Sequence, residues 1–189
     1  MKKYKNYKKL QYTITAILLF VVVYARNPDA VGVNGMVVSS NVLASQVGID
    51  ILKDGGNAID AAIATGFALA VVHPGAGNIG GGGFMVIRLA DGTVTTIDFR
   101  EVAPKAAYRN MFLDDSLNVI PNLSTSTGLS SGVPGTVAGM WLAYKKYGTK
   151  KWSDLVKPAI LLAKNGFKLD PFNVKFLNSV RYSNFLGVD

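Results

Sequence analysis

The chain has 189 residues, 49% of them hydrophobic and 17% charged, a composition that suits one globular domain and excludes a disordered chain. Its formal charge of +8 suggests a nucleic-acid partner until the charge is located. Lys2, Lys3, Lys5, Lys8 and Lys9 fall in the first ten positions, and without them 15 basic residues face 12 acidic ones, a net +3. The basicity is an address rather than a binding face, so no nucleic-acid partner is expected. The absence of cysteine excludes disulfides, thiolate metal sites and a cysteine nucleophile.

That address follows the secretory pattern across residues 1–25: a lysine-rich start, an apolar run over 14–23, then the small-residue site Val23-Tyr24-Ala25. The run is shorter than the ~20 residues of a usual membrane span, which favours a cleaved signal peptide over an uncleaved anchor. The expected localisation is periplasmic or extracellular, with membrane attachment only through a retained leader. Residues 26–189 hold no internal repeat and no linker that would split them, and are expected to form an incomplete part of a larger domain.

In chain order, Gly35-Met36-Val37-Val38-Ser39-Ser40 reads as a short strand. A helix follows, capped by Ser40 or Asn41, with Leu43, Val47 and Ile51 at helical spacing and Gly55-Gly56 as its stop. A second helix over 58–72, capped at Asn57 with Asp60 in its first turn, is apolar almost all round and therefore buried on all sides. His73-Pro74 ends it. Two apolar runs, 84–89 and 93–99, flank Asp91-Gly92 and predict a hairpin. Residues 105–132 read as irregular. A helix over 137–147 and another capped by Ser153 and stopped by Gly166 complete the pattern, and the tail after Leu169 has no clear period. The order predicts an α+β fold.

Six glycines lie between Gly75 and Gly83, and Gly75-Ala76-Gly77-Asn78-Ile79-Gly80 matches the dinucleotide fingerprint letter for letter. Its context is wrong, because a helix precedes the run and a strand follows, the reverse of what pyrophosphate binding needs. Two readings stay open for this run: a tight crossing that tolerates no side chains, and backbone amides lining a pocket. His73, the sole histidine, sits at a helix end beside a proline, where packing or capping outweighs catalysis. One histidine, one glutamate and no cysteine offer no metal site, and neither metal nor cofactor is expected. Arg100 closes the second strand of the hairpin beside the glycine run. An arginine there suits bidentate capture of a small carboxylate, although spacing alone favours an ion pair with Asp98 or Glu101.

Several segments, in order, resemble the γ-glutamyltransferases (glutathione hydrolases). They are Met36-Val37-Val38-Ser39-Ser40, Gly55-Gly56-Asn57-Ala58-Ile59-Asp60, Gly77-Asn78-Ile79-Gly80-Gly81-Gly82-Gly83-Phe84, Asp98-Phe99-Arg100-Glu101 and Gly132-Val133-Pro134-Gly135-Thr136. The resemblance spans roughly residues 35–170. It implies part of an N-terminal-nucleophile hydrolase, a four-layer αββα sandwich whose proenzyme cuts itself into two subunits. It also implies a γ-glutamyl substrate such as glutathione, whose glutamyl group passes to water or to an amino acid. Arg100 inherits the role of binding the glutamyl α-carboxylate. The family's nucleophile is a threonine in a Thr-Thr-His segment of the small subunit, which Thr95-Thr96 does not match. These residues are therefore expected to supply one wall of the pocket, to contain no catalytic residue and to depend on a small-subunit partner region. The alternatives are a glutaryl-type β-lactam acylase of the same fold and a non-catalytic γ-glutamyl-binding or partner-subunit protein.

Overall fold

The computed structural model of the chain describes residues 11–15 and 30–179, in two units, 1–36 and 37–189. In the first unit residues 11–15 are helical and residues 30–36 form no helix or strand. The rest of the expected signal peptide, with its cleavage site, lies outside the described residues. Among those described, no helix is long and apolar enough to cross a membrane.

The second unit opens on residues that form no strand: 37–39 have no ladder partner among the described residues, so the strand expected over 35–40 is not formed. Val37 nevertheless packs on the core. Helix α1, Val42–Lys53, starts at Asn41, whose side chain accepts the Leu43 amide at 2.9 Å. It ends in a Schellman motif, where Gly56 N–H donates to the Ile51 carbonyl, Gly55 N–H donates to that of Leu52, and Gly55 takes φ +81. Helix α2, Ala58–Val72, begins with a capping box between Asn57 and Asp60 and buries Ile59, Ala61, Ile63, Ala64, Phe67, Ala68 and Val72. Those positions cover most of its circumference, as its apolar sequence requires. Gly48 of α1 lets α2 approach until a Cβ there would collide with the Thr65 hydroxyl.

Strands β1, Phe84–Arg88, and β2, Val94–Asp98, form an antiparallel hairpin with Val86 opposite Thr96. Its connection is a three-residue loop between the paired Leu89 and Thr93, closed by Gly92 at φ +88. The Thr93 amide donates to the Asp91 carboxylate at 2.8 Å, which holds the Asp91 pKa below its ordinary value. Ile87 and Ile97 face the core, while Phe84, Val86 and Val94 lie exposed on the other face.

Helix α3, Thr136–Tyr147, and helix α4, Trp152–Asn165, complete the core around α2. The Trp152 ring stands nearly perpendicular to those of Phe67 and Trp141, with centroids 5.5 and 5.1 Å away, and its backbone amide donates to the Tyr144 hydroxyl. Ser153 is not the cap of α4. The cap lies two residues earlier, at Lys151, and the helix begins at Trp152, whose packing sets the first turn. Gly166 stops it as expected, at φ +73. The tail holds a helix that periodicity missed: α5, Pro171–Leu177, with Asp170 accepting the Asn173 amide at 2.8 Å and proline in the first turn. Asn173, 1% exposed, donates to the Val72 carbonyl at 3.1 Å, as does Asn41, which ties α5 to the end of α2 and the start of α1. The architecture is α+β, a helical layer on a small antiparallel sheet.

Candidate functional site

The glycine run, residues 99–102 and the N-terminus of α3 meet at one junction. Strand pairing continues past β2, since Gly83 and Phe99 exchange amide hydrogen bonds at 3.3 and 3.0 Å. Beyond Arg100, Val102 pairs with Val133 in an isolated antiparallel bridge. Arg100 therefore lies two residues past the last ladder residue of β2, on backbone held at both ends.

Absent side chains make this crossing possible. A Cβ built on Gly82 would lie 2.6 Å from the Phe99 carbonyl oxygen and 2.7 Å from the Glu101 nitrogen. One on Gly77 would fall inside the Leu69 carbonyl, and one on Gly139 inside the Phe99 ring. The tight-crossing reading thus holds at these positions. Gly77, Asn78 and Ile79 also line an apolar groove of about 390 Å³ with Phe67 and Ile160, but Arg100 is not among its walls. The run follows α2 and leads into β1, so the dinucleotide fingerprint lacks the helix it would have to open.

The Arg100 side chain is 63% exposed. Its Nε donates to Glu101 Oε2 at 3.2 Å, and its guanidinium carbon lies 5.9 Å from the centre of the Phe84 ring. The Arg100 amide, not its guanidinium, bonds to Asp98, at 3.0 Å. Of the two ion pairs that spacing allowed, the structure contains the one with Glu101. Arg100's two terminal nitrogens carry no hydrogen bond among the described residues. The fork is thereby oriented from one side and open on the other, the geometry in which an arginine takes both oxygens of a carboxylate.

His73 caps the end of α2. Its carbonyl accepts the Ala76 and Gly77 amides, and its ring stacks on Phe172 at 6.3 Å. Thr95 and Thr96 lie within β2, paired with Ile87 and Val86. Sequence spacing gave no sign of Asn78 and Thr136, whose side chains meet at 2.8 Å across 58 positions to tie the glycine run to α3. A polar residue inside a glycine run and a threonine opening a helix are the local signals they leave.

Residues 44–186 match the family model described as gamma-glutamyltranspeptidase. The chain is 54% identical over 177 residues to a glutathione hydrolase proenzyme of Pseudomonas sp. (strain A14), covering 94% of this chain and 31% of that protein. Among solved structures it is similar to Helicobacter pylori gamma-glutamyltranspeptidase, with 54% identity and a TM-score of 0.79 over 86% of this chain and 46% of that one. A more distant likeness is to a cephalosporin acylase from Bacillus halodurans, at 29% identity and a TM-score of 0.69 over 85% and 30% of the two chains. The chain thus spans about a third of the length of the proenzyme it matches. Its fold is that of these N-terminal-nucleophile hydrolases, of which the hairpin and its helices form a part.

Proposed function

The chain belongs to the gamma-glutamyltranspeptidase family, and we propose that it is the N-terminal part of an exported γ-glutamyltransferase in which Arg100 binds the α-carboxylate of the γ-glutamyl group. The observation that carries this reading is the half-committed guanidinium: Nε is held by Glu101 while the terminal nitrogens point to no protein acceptor among the described residues. Glu101 restricts rotation of the guanidinium, so less side-chain freedom is lost when a carboxylate arrives. Export rests on the lysine-rich leader and its short apolar run.

In the proposed reaction a threonine attacks the γ-glutamyl amide of glutathione, and the acyl group then passes to water or to an amino-acid amine. By family resemblance that threonine belongs to the small-subunit portion of the proenzyme. Arg100 takes no part in the proton transfers. It fixes one end of the glutamyl group so that the other reaches the nucleophile in a reactive orientation. Purified residues 26–189 are accordingly expected to release no aniline from a γ-glutamyl anilide, and turnover by that segment alone would refute the assignment.

The test of Arg100 is made in the complete protein. Arg100→Lys keeps the charge and loses the fork, so KM for glutathione is expected to rise roughly tenfold or more. An unchanged KM would remove Arg100 from the site. The likeness to a cephalosporin acylase favours one second reading, because a glutaryl group also ends in a carboxylate. Release of glutarate from a glutaryl amide, with none of glutamate from a γ-glutamyl amide, would select it. A non-catalytic binding module is disfavoured by the outer face of the hairpin, where Phe84, Val86 and Val94 leave an exposed apolar patch that the rest of a sandwich would cover.

A further inference from the structure

We propose that Asn78 and Thr136 form a clamp that positions Arg100, an inference that rests on the carboxylate-binding role given to Arg100 above. Asn78 Oδ1 accepts two hydrogen bonds, from the Gly81 amide at 2.8 Å and from the Thr136 hydroxyl at 2.8 Å. Two donors on one atom, with Asn78 Nδ2 donating to the Ala76 carbonyl at 3.2 Å, fix which way the amide faces. The link is reciprocated by the backbone: the Gly81 carbonyl accepts the Gly135 amide at 2.8 Å and the Thr136 amide at 3.0 Å. Thr136 is 4% exposed, so its hydroxyl depends on Asn78 for its hydrogen bond.

The residues on either side of this link grip the backbone of Arg100. A Cβ on Gly82 would lie 2.9 Å from the Arg100 carbonyl carbon, and one on Gly135 would lie 3.1 Å from the Arg100 carbonyl oxygen. Gly82 follows Gly81, and Gly135 precedes Thr136. The two glycines therefore close on Arg100 from opposite partners of the same cross-link. A guanidinium that must meet a small carboxylate with both nitrogens is sensitive to sub-ångström displacement of its own backbone. Asn78 and Thr136 touch no substrate in this account; they act through Arg100.

The experiment measures steady-state hydrolysis of glutathione by the complete protein carrying Thr136→Val, Thr136→Ser or Arg100→Lys. Valine keeps the volume of threonine and removes the hydroxyl, while serine restores it. Thr136→Val is expected to raise KM roughly three- to tenfold with kcat within about twofold of the parent, and Thr136→Ser to return KM to the parent value. Asn78→Ala breaks the same link from an exposed position and is expected to move KM the same way, so a folding failure of one variant does not leave the clamp unexamined. An unchanged KM in Thr136→Val or Asn78→Ala, beside a raised KM in Arg100→Lys, overturns the clamp and leaves the arginine assignment standing. A fall in kcat without a change in KM also overturns it. An unchanged KM in Arg100→Lys removes both together.

Discussion

Gly135→Ala is expected to destabilise the complete protein by about 3 kcal/mol or more, the upper range for overpacking. The cause is steric, because Gly135 has φ −113, which alanine adopts freely. A Cβ there would fall inside the Phe99 carbonyl oxygen and 2.8 Å from its carbon, and both are backbone atoms. Phe99 cannot retreat without giving up its paired hydrogen bonds to Gly83, and Gly135 cannot retreat without losing its amide bond to Gly81. Gly128→Ala is the control, since nothing lies within 4 Å of a Cβ at that position. Urea unfolding of the two variants checks the claim. A midpoint shift in Gly135→Ala no larger than in Gly128→Ala would show that the junction yields easily.

Asp60→Ala is expected to cost a similar amount, about 3 kcal/mol, from a different source. Asp60 is 0% exposed and is the acceptor that joins the start of α2 to the α3–α4 turn. Its carboxylate accepts the Asn57 amide at 3.0 Å, the Thr149 amide at 3.1 and 3.2 Å, and the Thr149 hydroxyl at 2.6 Å. Alanine removes half of the capping box and takes away the shared acceptor of the part-buried Asn57 and Thr149 donors. Asp60→Asn retains one acceptor oxygen but turns an amide donor toward other donors, so its loss should fall between those of the parent and Asp60→Ala. Thermal melting of the three proteins orders them, and a melting point for Asp60→Ala equal to that of the parent would contradict the assigned role.

Where local chemistry governs, the sequence was sufficient. Asn41 and Asn57 cap the helices expected of them, Gly55 and Gly166 take the positive φ that ends a helix, and Asp91-Gly92 turns the hairpin. Expectations failed where tertiary contacts decide. Residues 35–40 have strand composition, but a strand needs a neighbour, and the described residues provide none. Ser153 has cap chemistry, yet the packing of Trp152 against Phe67 and Trp141 starts α4 before it. Helix α5 has too few turns to show a period, and its signal was the pair Asp170-Pro171, a cap followed by a first-turn proline.

The site divides in the same way. The role proposed for Arg100 comes from the family resemblance, whereas the Arg100–Glu101 pair was legible through spacing. The grip of Gly82 and Gly135 on the Arg100 backbone was not, because these residues come from separate segments of the chain whose contact leaves no local pattern. Six glycines in one run announce a close crossing without naming what crosses. Only the fold identifies Phe99 and Arg100 as the chain that passes there.

The most direct test of the account is release of nitroaniline from γ-glutamyl-p-nitroanilide by the product of the complete reading frame, assayed beside residues 26–189 alone. Turnover by the complete product and none by the segment is the result expected of a chain that supplies the carboxylate-binding wall and not the nucleophile. A complete product that folds and releases no nitroaniline would contradict the γ-glutamyltransferase assignment.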